Sequence, residues 1–160
     1  MVKRLSKDEY YIKIAERVFQ RATCLRRHYG AIIVAHDEII ATGYNGAPRG
    51  MVSCLEKDYC WREKNKIPQG SSYEKCTSVH AEENAMLSAA RRDMLGSIMY
   101  IAGENNDLSI CSAMPCPMCL RKILNSGIET VKYRTADGNT VTAYPLIDWS
   151  KEEYLISYKG

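Results

Sequence analysis

The 160-residue sequence predicts an α/β protein, a three-layer α/β/α sandwich on a mixed central sheet of about five strands. Three features lead there. Short runs rich in branched apolar residues alternate with segments of helical periodicity, a pattern that buries one sheet between two helical layers. The first two strand-like runs, 30–35 and 38–42, are separated only by the polar pair His36-Asp37, so they read as a hairpin. Later strands are reached through helices, and a helical crossover delivers a strand parallel to its neighbour.

Element by element, Ser6-Lys7-Asp8-Glu9 reads as a capping box: the serine hydroxyl takes an orphan backbone N–H, and the glutamate reaches back to the serine's own N–H. Beyond it Tyr11, Ile14, Ala15, Val18, Phe19 and Ala22 recur at helical spacing, carrying one helix to about Cys24. After the hairpin, Gly43-Tyr44-Asn45-Gly46-Ala47-Pro48-Arg49-Gly50 is a glycine-rich loop. Residues 51–77 are polar and irregular and hold three cysteines. So long a loop inside a compact domain is uncommon and usually functional, and something other than apolar burial has to order it. Helix formers return over 78–94, followed by a strand at 97–102. A helix over 115–125 has Pro117 in its first turn and Gly127 as its stop, and 128–133 is a further strand. In the tail, 141–147 reads as a strand and 151–158 as a short helix or strand. With no repeat or linker, residues 1–160 are expected to form one domain with a cysteine-containing insertion at about 51–77.

Composition narrows the class of protein. Apolar residues make up 46% and charged residues 26%, ordinary values for a soluble globular chain. No apolar run approaches the ~18 residues of a membrane span, and the N-terminus lacks a signal-peptide core, so the expected location is cytoplasmic. The net charge of +3, from 22 basic and 19 acidic residues, is too mild for a nucleic-acid coat. The basic residues do crowd at Arg17, Arg21, Arg26, Arg27 and His28. Either a solvated helix face or a small cationic pocket for one phosphate accounts for them. Seven cysteines, an odd count without an export signal, point to reduced thiols or metal ligands rather than a disulfide framework.

Two short segments carry the chemistry: His80-Ala81-Glu82 and Pro115-Cys116-Pro117-Met118-Cys119. Cys116 and Cys119 are three apart at a helix start, so their side chains share one face. Thiolates there are stabilised by the positive end of the helix dipole and by unpaired backbone N–H groups. His80 likewise begins its helix. If the two helix starts meet, three protein ligands assemble, and three ligands plus an open position is the layout of a catalytic zinc. A structural zinc wants a fourth ligand, which neither segment offers. Glu82, two residues beyond His80, is close to the metal without having to ligate it, as suits a proton carrier. Alone, a C-x-x-C fits a redox motif or half a structural site, and a histidine at a helix start fits a satisfied core residue; their coincidence is what is specific.

H-x-E paired with P-C-x-x-C is the known signature of zinc nucleobase deaminases, so at this point the chain is identified by resemblance. Further segments narrow the match: Thr23-Cys24-Leu25-Arg26-Arg27, Gly30-Ala31-Ile32-Ile33-Val34, Ala41-Thr42-Gly43-Tyr44-Asn45-Gly46-Ala47-Pro48, Val79-His80-Ala81-Glu82-Glu83-Asn84-Ala85, and 115–127. Over about residues 9–134 the chain resembles the deoxycytidylate deaminase family; 138–160 holds no assignable motif, and Ala113-Met114 departs from the family's habit.

The resemblance implies a Zn2+ ion on His80, Cys116 and Cys119, with Glu82 as base and then acid. It implies hydrolysis of deoxycytidylate (dCMP) to deoxyuridylate (dUMP) and ammonia, supplying the precursor for thymidylate synthesis. Asn45 is expected on the sugar or ring of the nucleotide, and the Ala81 backbone on the base. Arg26 and Arg27 are the candidates for the phosphate, because guanidinium forks suit phosphate oxygens. Some family members carry a second, structural zinc at the insertion; here Cys24, Cys54, Cys60 and Cys76 would hold it, or remain reduced thiols, while Cys111 reads as a small buried hydrophobe. Family members are usually homo-oligomers, often hexamers, and many respond to deoxycytidine and thymidine triphosphates (dCTP and dTTP), for which the 43–50 loop with Arg49 is a candidate contact. The alternative is a deaminase of another cytosine or adenine substrate (nucleoside, tRNA or single-stranded nucleic acid); one acting on tRNA or a polynucleotide shares the zinc segments but wants a basic track with stacking aromatics, so no nucleic-acid partner is expected. A zinc-stabilised binding module would have no need of Glu82.

Overall fold

Helix α1 (Lys7–Phe19) begins where expected, with the Ser6 hydroxyl accepting the Glu9 backbone N–H at 3.2 Å. The reciprocal bond from Glu9 does not form. Its carboxylate turns instead to Arg134, which it meets at 3.3 Å, while Glu16, two turns further along the same face, meets the same guanidinium at 2.8 Å. The helix stops at Phe19, short of Cys24, and a turn over 20–22 leaves Cys24 on a connecting segment. The computed structural model describes residues 3–148 and 153–158.

Strands β1 (Arg27–Ala35) and β2 (Glu38–Tyr44) form the expected antiparallel hairpin. His36 and Asp37 turn it with φ of 53° and 63°, the left-handed pair that matches the twist of the strands they join. The insertion then contributes two single-turn helices, α2 (Cys54–Lys57) and α3 (Trp61–Lys64), and a 3-10 turn at Tyr73–Lys75. The helix expected over 78–94 is two: α4 (Ala81–Leu87) and α5 (Arg91–Met94). The break follows Ser88, whose hydroxyl donates back to the Asn84 carbonyl at 2.9 Å, the local bonding by which serine competes with helix propagation.

The remaining elements are β3 (Ile98–Asn105), α6 (Pro117–Ser126), β4 (Thr130–Arg134), β5 (Thr140–Asp148) and β6 (Glu153–Tyr158). They complete a mixed sheet of order β2-β1-β3-β4-β5-β6, in which β3 and β4 are parallel and every other pairing is antiparallel. The sheet has one strand more than the five expected: the segment read as a short helix or strand pairs along β5 as β6.

Burial alternates along the central strands. Ala31 and Ile33 of β1 and Met99 and Ile101 of β3 pack into the core under α4 and α6. Ile32, Val34, Tyr100 and Ala102 face the other way, against Tyr11, Ile12, Ala15 and Phe19 of α1. A strand buried on both faces reads as a continuous apolar run, as 30–35 does. Two glycines let the layers close. A Cβ at Gly30 would lie 2.2 Å from the Ala15 carbonyl of α1, and one at Gly43 would lie 2.3 Å from the Ala81 carbonyl of α4. Helix α4 therefore rests directly on the β2 backbone, which fixes where its first residues point. Among the described residues, no helix is long and apolar enough to cross a membrane.

Candidate active site

The starts of α4 and α6 converge. His80 is the N-cap of α4 and Cys116 the N-cap of α6, where the Cys116 sulfur accepts the Cys119 backbone N–H at 3.5 Å. His80 Nδ1 lies 3.6 Å from Cys116 Sγ and 3.3 Å from Cys119 Sγ, and the three donor atoms all lie within 4.8 Å of one another. Zinc bonds of about 2.3 Å to sulfur and about 2.0 Å to nitrogen at a tetrahedral angle need donors about 3.5 Å apart, so this donor set fits the ion. The contacts already polarise the thiols. The bond from Cys119, followed by that from His80, holds the Cys116 pKa down to about 4. The same bond, with burial, pushes Cys119 up. His80 is raised, chiefly by its contact with Cys116.

Glu82 lies 7% exposed at the start of α4, and burial raises its pKa. Glu83 does a different job: its carboxylate accepts the His80 backbone N–H at 3.4 Å and ion-pairs with Lys122 of α6. Of the glycine-rich stretch expected as a loop over 43–50, Gly43 and Tyr44 belong to β2; the remainder, 45–50, is stitched to the segment before the histidine through a two-way backbone bridge between Gly46 and Val79, at 3.1 and 2.8 Å.

These elements enclose a cavity of about 710 Å³. His80, Ala81, Glu82 and Cys116 line it, while Cys119 is fully buried. Asn45, Arg26 and Arg27 line it as well. The Asn45 amide, 6% exposed, is committed to β1: Oδ1 accepts the Tyr29 N–H at 2.7 Å and Nδ2 donates to the Arg27 carbonyl at 2.9 Å. Arg26 is held through Nε to Glu63 at 3.3 Å, and Arg27 through Nε to the Asn105 side chain at 3.1 Å. The rest of the basic cluster lies away from the cavity: His28 turns to Glu104 at 3.3 Å and to the Cys24 carbonyl at 3.0 Å, and Arg17 and Arg21 do not line it.

Cys24, Cys54, Cys60 and Cys76 also line the cavity, close enough that the first, third and fourth add to burial in raising the Cys54 thiol. Among the described residues, however, the one three-donor cluster within 4.8 Å is His80, Cys116 and Cys119. Cys111 is buried, in contact with the Tyr29 hydroxyl. Sequence reasoning passed over the tie between Glu83 and Lys122, although a glutamate three residues after an N-cap is a readable signal. It also passed over Arg62 and Tyr73, which sit in the insertion without periodicity to mark them.

Three donors with one side toward a cavity, on a sandwich entered through a hairpin, place the chain in the class of zinc-dependent nucleobase deaminases. Comparison with known proteins narrows that class. Residues 5–135 match the cytidine and deoxycytidylate deaminase zinc-binding region, and the chain belongs to this family, whose cofactor is zinc. A deoxycytidylate deaminase of Schizosaccharomyces pombe is 37% identical over 133 residues, which span 83% of this chain and 38% of that relative. A deoxycytidylate deaminase of Mycobacterium phage D29 is also 37% identical, over 79% of this chain and 92% of its own length. The crystal structure of dCMP deaminase from cyanophage S-TIM5 in complex with dCMP and dUMP superposes with a TM-score of 0.59 at 28% identity, covering 86% of this chain and 90% of that one.

Proposed function

We propose that the chain, as a single domain over 1–160 acting in the cytoplasm, hydrolyses the ring amine of dCMP to give dUMP and ammonia, and so supplies the precursor for thymidylate synthesis. The observation that carries this reading is the buried Glu82 carboxylate, which lines the cavity beside the three-donor cluster. Zinc, when held by His80, Cys116 and Cys119, supplies the Lewis acidity that lets water ionise near neutral pH. Glu82 takes the proton of the attacking water and delivers it to the ring nitrogen beside the amine-bearing carbon. It then passes a second proton, from the same oxygen, to the departing ammonia; one carboxylate serves as base and then as acid. In this reading Ala81 holds the base, Asn45 meets the sugar through the Nδ2 hydrogen that its bond to the Arg27 carbonyl leaves over, and Arg26 and Arg27 meet the 5′-phosphate with charge-assisted hydrogen bonds; that all four line the cavity supports it.

The dCMP and dUMP bound in the cyanophage relative support a nucleotide substrate for this chain. The same reading gives Cys24, Cys54, Cys60 and Cys76 a second, structural zinc that orders the insertion, supported by their all lining the cavity and by the influence of the other three on the Cys54 thiol. It also includes assembly into a homo-oligomer, a hexamer by family habit, and control by dCTP and dTTP.

The test is ammonia release from dCMP, cytidylate, deoxycytidine and a single-stranded oligonucleotide side by side, with and without the two triphosphates. The reading expects dCMP to be turned over fastest; a preference for the oligonucleotide or the nucleoside would overturn it. Metal analysis of the same preparation is expected to give two zinc ions per chain, and one would remove the second site.

A further inference from the structure

Arg62 belongs to a four-residue surface helix, α3, yet it is only 4% exposed. Burying a guanidinium is costly unless its donors are matched. Two of them are: Nη1 donates to the Ser72 carbonyl at 3.0 Å and Nη2 to the Pro68 carbonyl at 2.8 Å, so one side chain folds the 65–72 loop back over its own helix. Its Nε is buried without an acceptor among the described residues. The guanidinium also lies over the ring of Tyr73, 5.0 Å from the centroid, a cation–π contact.

Tyr73 in turn meets the imidazole of His80. The ring centroids are 5.3 Å apart and the planes stand at 87°, the edge-to-face arrangement that aromatic pairs favour. The His80 ring meets both Cys116 and Cys119 through Nδ1. A metal-ligating histidine ordinarily has its second ring nitrogen fixed by a carboxylate or a carbonyl. Here the ring also packs against the ring of Tyr73.

We propose that Arg62 and Tyr73 are positioning residues that orient the His80 imidazole toward the metal, making the 51–77 insertion a working part of the active site. The inference rests on the reading of His80 as a zinc ligand. Arg62 acts at one remove: it holds the turn on which Tyr73 sits, and Tyr73 alone touches the ligand. The contact is made by the ring, so it survives loss of the hydroxyl and fails with loss of the ring.

The experiment uses the full chain with five variants: Tyr73→Phe, Tyr73→Leu, Arg62→Gln, the double variant Arg62→Gln/Tyr73→Leu, and His80→Ala. Zinc affinity is read by competition with a chelator, the metal released by His80→Ala defining the site. Cobalt(II) substitution reports ligand geometry through its visible bands, and circular dichroism reports folding. Tyr73→Phe is expected to match the unmodified chain. Tyr73→Leu and Arg62→Gln are expected to weaken zinc binding by about 10- to 100-fold, the usual cost of losing an outer-shell partner, and to shift the cobalt bands. The double variant is expected to be no weaker than the worse single one, since both act along one path. A folded Tyr73→Leu protein with unchanged zinc affinity and cobalt spectrum would overturn the proposal, as would losses that multiply in the double variant. His80→Ala retaining its full complement of zinc would overturn the metal-site reading instead.

Discussion

Glu83 of α4 and Lys122 of α6 form an ion pair, and the second oxygen of the Glu83 carboxylate accepts the His80 backbone N–H at 3.4 Å. The helix that carries the histidine is thereby tied to the helix that carries the two cysteines. Glu83 and Lys122 are partly exposed, at 21% and 48%, so screening keeps the pair's contribution to overall stability small, roughly 0–1 kcal/mol. Its effect on the metal should be larger. Lys122→Met is expected to leave the unfolding midpoint nearly unchanged and to weaken zinc retention about tenfold, as read by chelator competition.

Gly43 is where the fold bears on the chemistry. Its missing side chain lets α4 lie on β2, and an added methyl group would sit 2.2 Å from the Ala85 backbone nitrogen and 2.3 Å from the Ala81 carbonyl. Gly43→Ala must therefore lift the helix that carries Glu82. Overpacking of this kind costs about 1–3 kcal/mol. Denaturant unfolding is expected to show that loss, and the folded fraction a lower kcat; an active enzyme of unchanged stability would show that the helix can move freely.

Arg26 sits at the cavity with its Nε on a Glu63 that is largely exposed, so removing it leaves no buried charge behind. A guanidinium bonded to phosphate is worth about 1.5–3 kcal/mol. Arg26→Ala is thus expected to lower kcat/KM for dCMP by roughly 10- to 100-fold while changing that for deoxycytidine little. Equal losses on nucleotide and nucleoside would take Arg26 off the phosphate.

Acid stability has an identifiable contributor at the hairpin turn. Hydrogen bonds from Lys7 at 2.6 Å and from the Tyr11 hydroxyl at 2.9 Å hold the Asp37 carboxyl below its ordinary range, Lys7 being the larger cause. A carboxyl whose pKa is lower in the folded than in the unfolded state stabilises the fold above the unfolded value, and that contribution disappears as pH falls through the folded one. Asp37→Asn keeps a residue that tolerates the left-handed turn. The variant is expected to be less stable than the unmodified chain at neutral pH and at low salt, with the gap narrowing from about pH 4 downward. A gap that does not change with pH would assign the effect to the turn itself.

Much of this was legible in the sequence because local signals and tertiary need agreed. The apolar run at 30–35 reads as a strand because both of its faces are buried, and the His36-Asp37 pair reads as a turn because polar residues there tolerate positive φ. The convergence of His80, Cys116 and Cys119 was legible because helix-start chemistry imposes fixed spacings. The Glu9 half of the capping box was not: a long-range partner, Arg134, claims that carboxylate. The break after Ser88 was hidden by alanines on both sides that favour helix whatever the tertiary context. Arg62 and Tyr73 were illegible for a different reason. Their roles arise from a loop folding back on itself, held by backbone carbonyls of Pro68 and Ser72 that carry no side-chain signature.

The central claim is that Glu82 moves protons beside the metal without holding it. Glu82→Gln keeps the size and the hydrogen-bonding shape of the side chain but cannot accept a proton, and general acid–base groups of this kind contribute about 100- to 10,000-fold in rate. Zinc content and ammonia release from dCMP, measured on the same preparation, are expected to show full metal and a rate reduced by that factor. A Glu82→Gln enzyme that releases ammonia at the unmodified rate would contradict the account.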